Sequence, residues 1–326
     1  MYIVTGASGL IGSALVWALN QRGIEDIIAV DHLGTSEKWK NLRALRFSDY
    51  LEKDAFRKLL QENKLAPSGI KAILHMGACS STTEKDASYL VDNNFGYTKE
   101  LAGFAAENSI RFLYASSSAT YGDGINGFVD DENSLEKLRP LNMYGYSKQV
   151  FDLWAKRKGL LDKIAGLKFT NVFGPNEYHK ADMRSFVLKA YEQIRSEGKV
   201  KLFKSYNPDY PDGQYKRDFL YVKDAVDMTL FFMDNPQVNG IFNIGTGNAR
   251  TWNDMVKAVF AAMDKKPDIE FVDMPENLQK QYQYFTQADM TKLSTAGCKL
   301  PITPLELAVT DYVKNYLINN GYLTAM

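Results

Sequence analysis

Tyr2-Ile3-Val4-Thr5-Gly6-Ala7-Ser8-Gly9-Leu10-Ile11-Gly12 is a short apolar run broken by three evenly spaced glycines. Beyond it, Leu10, Ile11, Ala14, Leu15, Ala18 and Leu19 recur at helical spacing, so the stretch reads as strand, glycine turn and helix. Glycines at 6, 9 and 12 let the backbone turn tightly and approach a pyrophosphate, and the helix N-terminus offers unpaired N–H groups to its charge. The spacing is GxxGxxG rather than GxGxxG, and its place directly after a first strand is what outlines a dinucleotide site. The fold class this predicts is α/β, a doubly wound parallel sheet.

Working outward, residues 26–30 form a second strand ending in Asp31, about twenty residues past the glycines, where an acid binds adenosine ribose hydroxyls. That rule points to NAD. His32, Lys38 and Lys53 follow, cations that either hold a 2'-phosphate or make a solvated face. Residues 42–47 read as a third strand leading to Asp49-Tyr50, a pair placed to read an adenine edge or to make a turn. A fourth strand, 71–75, leads into Gly77-Ala78-Cys79-Ser80-Ser81, small enough to lie against a cofactor, and His75 is a packed histidine with no metal partner. A long helix carries Asp92-Asn93-Asn94, whose amides are poor helix formers and either bridge inward or face solvent. The fifth strand, 111–115, ends in Ser116-Ser117-Ser118-Ala119-Thr120-Tyr121-Gly122 at the carboxyl edge where ligands bind.

Tyr144-Gly145-Tyr146-Ser147-Lys148 then places a phenol and an ammonium four residues apart on one helix face. A phenol ionises near pH ~10, so it accepts a proton at neutrality only if a nearby cation favours the phenolate. Alone, this spacing also arises by chance on any helix. Strand 164–169 runs into Asn171-Val172-Phe173-Gly174-Pro175, where proline takes the chain out of the sheet. The expected division is 1–171 with 216–240 for a dinucleotide-binding domain, and 172–215 with 241–326 for a mainly substrate-binding one. Lys180, beside His179 after the Gly-Pro turn, reads as a point charge for phosphate, and Arg217 as a planar fork for a diphosphate or a surface ion pair. Tyr282-Gln283-Tyr284-Phe285 makes an aromatic surface or part of the core; Thr251 and Asp254 cap a helix; 305–323 is a closing helix.

With 39 basic and 39 acidic side chains the formal net charge is zero, so no overall field draws the chain to nucleic acid or a membrane. Cys79 and Cys298 have neither disulfide-framework nor metal-ligand spacing. No apolar run approaches a membrane span and none resembles a secretory signal, so a cytoplasmic enzyme is expected.

With these features in order, the whole chain resembles the extended short-chain dehydrogenase/reductase family, whose Rossmann domain and smaller α/β substrate-binding domain modify nucleotide sugars with tightly held NAD or NADP. The sharper segments are 77–84, 142–148, 174–180, 216–219 and 285–289. They are similar to family members that invert C6 of the heptose in an ADP-heptose for the lipopolysaccharide core, and imply NADP as cofactor. The resemblance implies Tyr144 and Lys180 as two acid/base groups, Lys148 on the cofactor and Ser117 as the assisting serine, with its register in the run open by one. It further implies cofactor contacts from Gly6, Gly9, Leu10, Ile11, Gly12, Asp31, His32, Lys38, Lys53, Met76, Gly77, Ala78, Cys79, Ser80, Asn93, Val172 and Lys180. Implied substrate contacts are Ser117, Asn171, Phe203, Lys204, Ser205, Tyr206, Arg217 and Tyr282, with Asp182 and Lys189 standing where relatives carry a serine and a histidine. The loop 207–214 reads as an insertion. A pentamer is implied by resemblance alone. A UDP-hexose 4-epimerase-like enzyme, a dehydratase, or a non-catalytic NADP-binding protein are the alternatives.

Overall fold

The computed structural model describes residues 1–279 and 282–325. In chain order the first half contains β1 (Tyr2–Thr5), α1 (Leu10–Gln21), β2 (Ile27–Asp31), β3 (Asp49–Glu52), α2 (Lys53–Gln61), β4 (Ala72–His75), α3 (Ala87–Leu90), α4 (Tyr97–Glu107), β5 (Arg111–Ser117), α5 (Met143–Arg157) and β6 (Ile164–Phe169). The second half contains β7 (Asn171–Phe173), α6 (Phe186–Glu197), β8 (Val200–Phe203), β9 (Lys216–Arg217), β10 (Phe219–Tyr221), α7 (Val222–Asp234), β11 (Gly240–Ile244), β12 (Arg250–Thr251), α8 (Trp252–Ala262), β13 (Ile269–Val272), α9 (Glu276–Gln279), α10 (Thr291–Thr295) and α11 (Leu305–Tyr312).

A seven-stranded sheet runs β11-β6-β5-β4-β1-β2-β3, parallel throughout. Its order reverses between β1 and β4, so the crevice for a ligand opens there, outside the carboxyl ends of the strands. The strands alternate between two apolar layers, as a two-residue period requires. Ile3, Ile73 and Phe112 pack with α2, α4 and α5 on one side, and Val4, Leu74 and Leu113 with α1 and α7 on the other. The second layer continues without a break into α6, α8 and α11, so one core supports both the nucleotide side and the cover over it.

Three expectations change. Residues 42–47 are not a strand. Leu42 N and Leu45 N close successive turns onto Trp39 O and Leu42 O at 3.1 and 3.0 Å, and Leu42 and Leu45, three apart, both bury. Turn hydrogen bonds there win over sheet pairing. The third strand is Asp49–Glu52, which puts Asp49-Tyr50 at the amino end of β3, the wrong edge for an adenine. Finally, β11 joins β6 in the main sheet, so the segment after residue 240 begins on the nucleotide side instead of the substrate side. Beyond β6 the chain pairs β7 with β10, β9 with β12 and β8 with β13, three small two-stranded sheets over the carboxyl edge.

Candidate active site

A cleft of about 800 Å3 lies along that edge. Its floor is the β1–α1 turn. Gly6 has φ +66°, and a Cβ there would stand 2.7 Å from Gly77 N; a Cβ on Gly12 would stand 1.9 Å from Gly6 O. Both glycines are therefore demanded by close packing of strand, helix and the loop after β4. Helix α1 starts without a side-chain cap and without an acid in its first turn, which leaves its amides for an anion. A dinucleotide pyrophosphate fits this cradle.

At the end of β2, Asp31 Oδ2 accepts from Ser8 N at 2.8 Å and Ser8 Oγ at 2.6 Å, and Oδ1 accepts from His32 N at 2.7 Å and Lys38 Nζ at 2.6 Å. Both carboxylate oxygens are engaged, and Lys38 is held beside Asp31 in the cleft lining. His32 is exposed beside Glu52, and Lys53 donates to Asn93 Oδ1 at 2.9 Å; neither side chain lines the cleft. Gly9, Leu10, Ile11, Met76, Ala78, Ser80 and Val172 do.

Between α3 and α4 the helix widens into a π turn, Val91–Gly96, a distortion that often marks functional sites. It aims Asn94 inward. Asn94 Oδ1 accepts from Cys79 N at 2.8 Å, and Nδ2 donates to Cys79 O at 2.9 Å and Ser147 Oγ at 3.0 Å. The buried amide thus ties the loop after β4 to the helix carrying Tyr144, while Cys79 and Asn93 stand behind the lining instead of in it.

Helix α5 opens with Asn142 Oδ1 accepting from Gly145 N at 2.8 Å. A Cβ on Gly145 would lie 2.7 Å from Ala119 O, so only glycine lets the helix rest on the turn after β5. That contact brings Tyr144 to Ser117. Burial raises the Tyr144 phenol above its usual pKa, the neighbouring Ser117 hydroxyl opposes this, and Cys79 adds to the rise. Lys148, 4% exposed, is pushed down to about 8 by burial, with Asp152 and Cys79 holding it up. The expected pull of Lys148 on the phenol is not among the causes that shift Tyr144. Ser116 Oγ donates to the buried Asp152 at 2.8 Å, and Ser117 is the serine that neighbours Tyr144.

The opposite wall is the turn Tyr178–Met183, with Ala181 at φ 45°, ψ −123°, a conformation that costs an alanine energy. Lys180 projects from it; burial lowers its pKa and Glu177 raises it. His179 also lines the cleft and is held near 4, mainly by burial and then by Lys180, so it is neutral at pH 7. Spacing alone did not single it out. Arg217, 7% exposed, donates to the carbonyls of Lys216 and Gln283 and stacks 5.4 Å from the centre of Tyr282. Among the described residues no carboxylate neutralises it there, which suits an anion site. Asn171, Tyr282 and Lys189 line the cleft as well, with Lys189 Nζ donating to Asp182 O at 2.6 Å; Asp182 itself does not. Phe203, Lys204, Ser205 and Tyr206 lie outside the lining. Lys204 and Tyr206 are instead taken by Asp273, at 3.0 and 3.1 Å.

Thr170, Arg184, Phe186 and Trp252 complete the walls, and no motif pointed to them.

Known proteins carry the same plan. The profile of the NAD dependent epimerase/dehydratase family matches residues 2–245. The chain is 58% identical over 317 residues to an ADP-L-glycero-D-manno-heptose-6-epimerase of Nitratidesulfovibrio vulgaris, covering 97% of this chain and 98% of that one. It is 49% identical over 326 residues to the protein of the same name from Fusobacterium nucleatum, with 97% and 98% covered. Among solved structures, ADP-L-glycero-D-manno-heptose-6-epimerase of Helicobacter pylori superposes with TM-score 0.80 at 23% identity, over 96% of this chain and 95% of that one. UDP-N-acetylglucosamine 4-epimerase of Methanobrevibacter ruminantium superposes with TM-score 0.83 at 20% identity, over 98% of both chains. Glycine cradle, nicotinamide-type cleft, full-length identity and shared fold together make this chain a member of the NAD dependent epimerase/dehydratase family.

Proposed function

We propose that this protein converts ADP-D-glycero-D-manno-heptose to ADP-L-glycero-D-manno-heptose, inverting C6 of the heptose for lipopolysaccharide core synthesis. The observation that carries the reading is 58% identity, end to end, to a relative of that name. Support from the cleft is chemical: Tyr144 with Ser117 on one wall, Lys180 on the other, and Arg217 without a carboxylate partner.

Inversion needs a proton acceptor and donor on each side of the reacting carbon. A bound nicotinamide supplies removal and return of hydride at C6, with a planar ketone between the two transfers. Tyr144, beside Ser117, exchanges the hydroxyl proton of one epimer; its phenolate form, which burial disfavours in the protein alone, would be favoured by the positive charge of a bound oxidised nicotinamide. Lys180, its pKa lowered by burial, does the same for the other epimer. Lys148 would hold the bound cofactor, and Arg217 holds the diphosphate through its planar fork. NADP is favoured over NAD because Lys38 already occupies the open side of Asp31. The setting is a cytoplasmic homo-oligomer, a pentamer by resemblance; no helix of the described residues is long and apolar enough to cross a membrane.

The test pairs mass spectrometry of the nucleotide released on denaturation with NMR of ADP-heptose incubated with the protein. Expected are released NADP and conversion to the C6 epimer, with deuterium at C6 retained. Turnover of UDP-galactose, or release of a 4-keto sugar, without turnover of ADP-heptose would replace this reading with a UDP-hexose epimerase or a dehydratase. Tyr144→Phe and Lys180→Met should each lose on the order of 10²-fold in turnover.

A further inference from the structure

Glu177 stands three residues before Lys180 and is fully buried. Its oxygens meet neutral donors: Ser185 N at 2.5 Å, Ser185 Oγ at 2.6 Å and Gly174 N at 3.4 Å. These bonds tie together the end of β7, the strained turn 178–183 and the cap of α6, since Ser185 is the residue on which α6 starts. Asn176 anchors the same turn from the other side. It is fully buried at φ 76°, its Nδ2 donates to Ser13 Oγ at 3.0 Å, its Oδ1 accepts from Leu323 N at 3.0 Å, and its carbonyl accepts from Asn41 Nδ2 at 2.8 Å. The turn that carries Lys180 is therefore bolted to the glycine-turn helix behind it and to α6 ahead of it.

A buried carboxylate met only by neutral donors keeps most of its field, because hydrogen bonds spread its charge without cancelling it. Its charge reaches Lys180, whose proton affinity burial alone would depress, and also the phenols of Tyr178 and Tyr312, which it pushes further from ionising. The other charged neighbours are engaged elsewhere. Arg184 donates to Glu192 at 2.6 Å, Lys189 to Asp182 O, and Lys38 to Asp31; His179 is neutral; Tyr144 lies on the opposite wall. An amine that must both give and take a proton works best with a pKa near the operating pH, and at Lys180 burial and Glu177 pull that pKa in opposite directions.

We propose that Glu177 is the positioning residue for Lys180: its clamped carboxylate holds the 178–183 turn in its strained form and supplies the fixed negative charge that lets the Lys180 amine carry a proton inside the cleft. This rests on Lys180 being the second acid/base group.

Two variants separate the parts. Glu177→Gln keeps the reach and loses the charge; Glu177→Asp keeps the charge and loses the reach. In wild type and E177Q, reductive 13C-methylation followed by NMR gives the titration midpoint of Lys180, assigned by the signal missing from Lys180→Met. E177Q should lower that midpoint by about one unit or more and move the alkaline limb of the turnover profile to lower pH by the same amount. E177D should lose about tenfold or more in turnover of the epimer that Lys180 serves, with the KM for the nucleotide sugar little changed. An unchanged Lys180 midpoint in E177Q overturns the charge role, and undiminished turnover in E177D overturns the clamp. If E177Q does not fold, E177D still decides. If wild type leaves ADP-heptose untouched, the substrate reading fails, while the Lys180 titration, which needs no substrate, still decides the role of Glu177.

Discussion

Lys168 Nζ and Asp152 Oδ2 lie 2.7 Å apart with neither side chain exposed to solvent, directly beneath the serine strand and the helix that carries Tyr144. Asp152 also accepts from Tyr114 OH at 2.9 Å and Ser116 Oγ at 2.8 Å, and Lys168 donates to Thr120 Oγ1 at 2.6 Å. Such a network binds β5, β6 and α5 into one register because every member is satisfied. Removing one partner strands a buried charge. Lys168→Met should cost about 3–5 kcal/mol in urea unfolding, and Lys168→Met combined with Asp152→Leu should cost less than the sum of the two single changes.

The proposed preference for NADP turns on the 2.6 Å contact between Lys38 and Asp31. A 2'-phosphate would gain the ammonium that Asp31 now holds, whereas a free 2'-hydroxyl gains little from it. Lys38→Met should weaken NADP by about ten- to a hundredfold, the scale of a lost charge-assisted hydrogen bond, and leave NAD nearly unchanged. Titration calorimetry with each nucleotide on protein stripped of cofactor reads this directly. Equal loss for both would remove Lys38 from the phosphate site.

The Lys148 amine, pushed down to about 8, is charged below that pH and neutral above it. Its charge toward the cofactor is thus lost as pH rises through about 8, and kcat/KM should fall on that limb. In Lys148→Met the limb should disappear along with most of the turnover. Stability runs in the opposite sense. The native amine resists a proton that the unfolded one holds up to the ordinary 10.5, so this group's destabilising contribution is complete below about 8 and fades as pH rises toward 10.5.

His75 sits buried between Thr5 Oγ1 at 2.6 Å and Thr98 Oγ1 at 2.9 Å, and burial, then Lys148, pushes it down to about 3. Below its ordinary value of 6.5 the unfolded chain takes a proton that the native chain refuses, so stability falls as pH falls. The slope for this one group approaches ~1.4 kcal/mol per pH unit between about 6 and 4. His179, held near 4, adds to it over the upper part of that window. Urea midpoints measured from pH 7 to 5 should drop accordingly, and His75→Gln should flatten the drop even where it lowers stability at pH 7. A flat wild-type profile would mean that neither histidine is held neutral.

The chain's local rules were readable wherever a residue type is demanded by backbone geometry or by a strict period. Gly6 and Gly12 are needed because any Cβ would strike the neighbouring backbone, and the strands around them alternate between two apolar layers. The capping box of Thr251 and Asp254 forms as its spacing implies. The misreading of residues 42–47 has a local cause as well. Leu42 and Leu45 are three apart, and a short apolar run does not say whether its amides will close turns or pair with a strand.

What the amino-acid order determined was the parallel α/β architecture, the glycine cradle and the Tyr144–Lys148 face, since each depends on neighbours within a few residues. Only the tertiary structure decided that Ser116 is spent on Asp152 while Ser117 neighbours Tyr144, that Lys204 and Tyr206 turn to Asp273, and that the Glu177 carboxylate is buried against Ser185 and Gly174. Those assignments depend on burial and on which donors compete for one carboxylate, quantities set by segments far apart in the chain and brought together by the shared core.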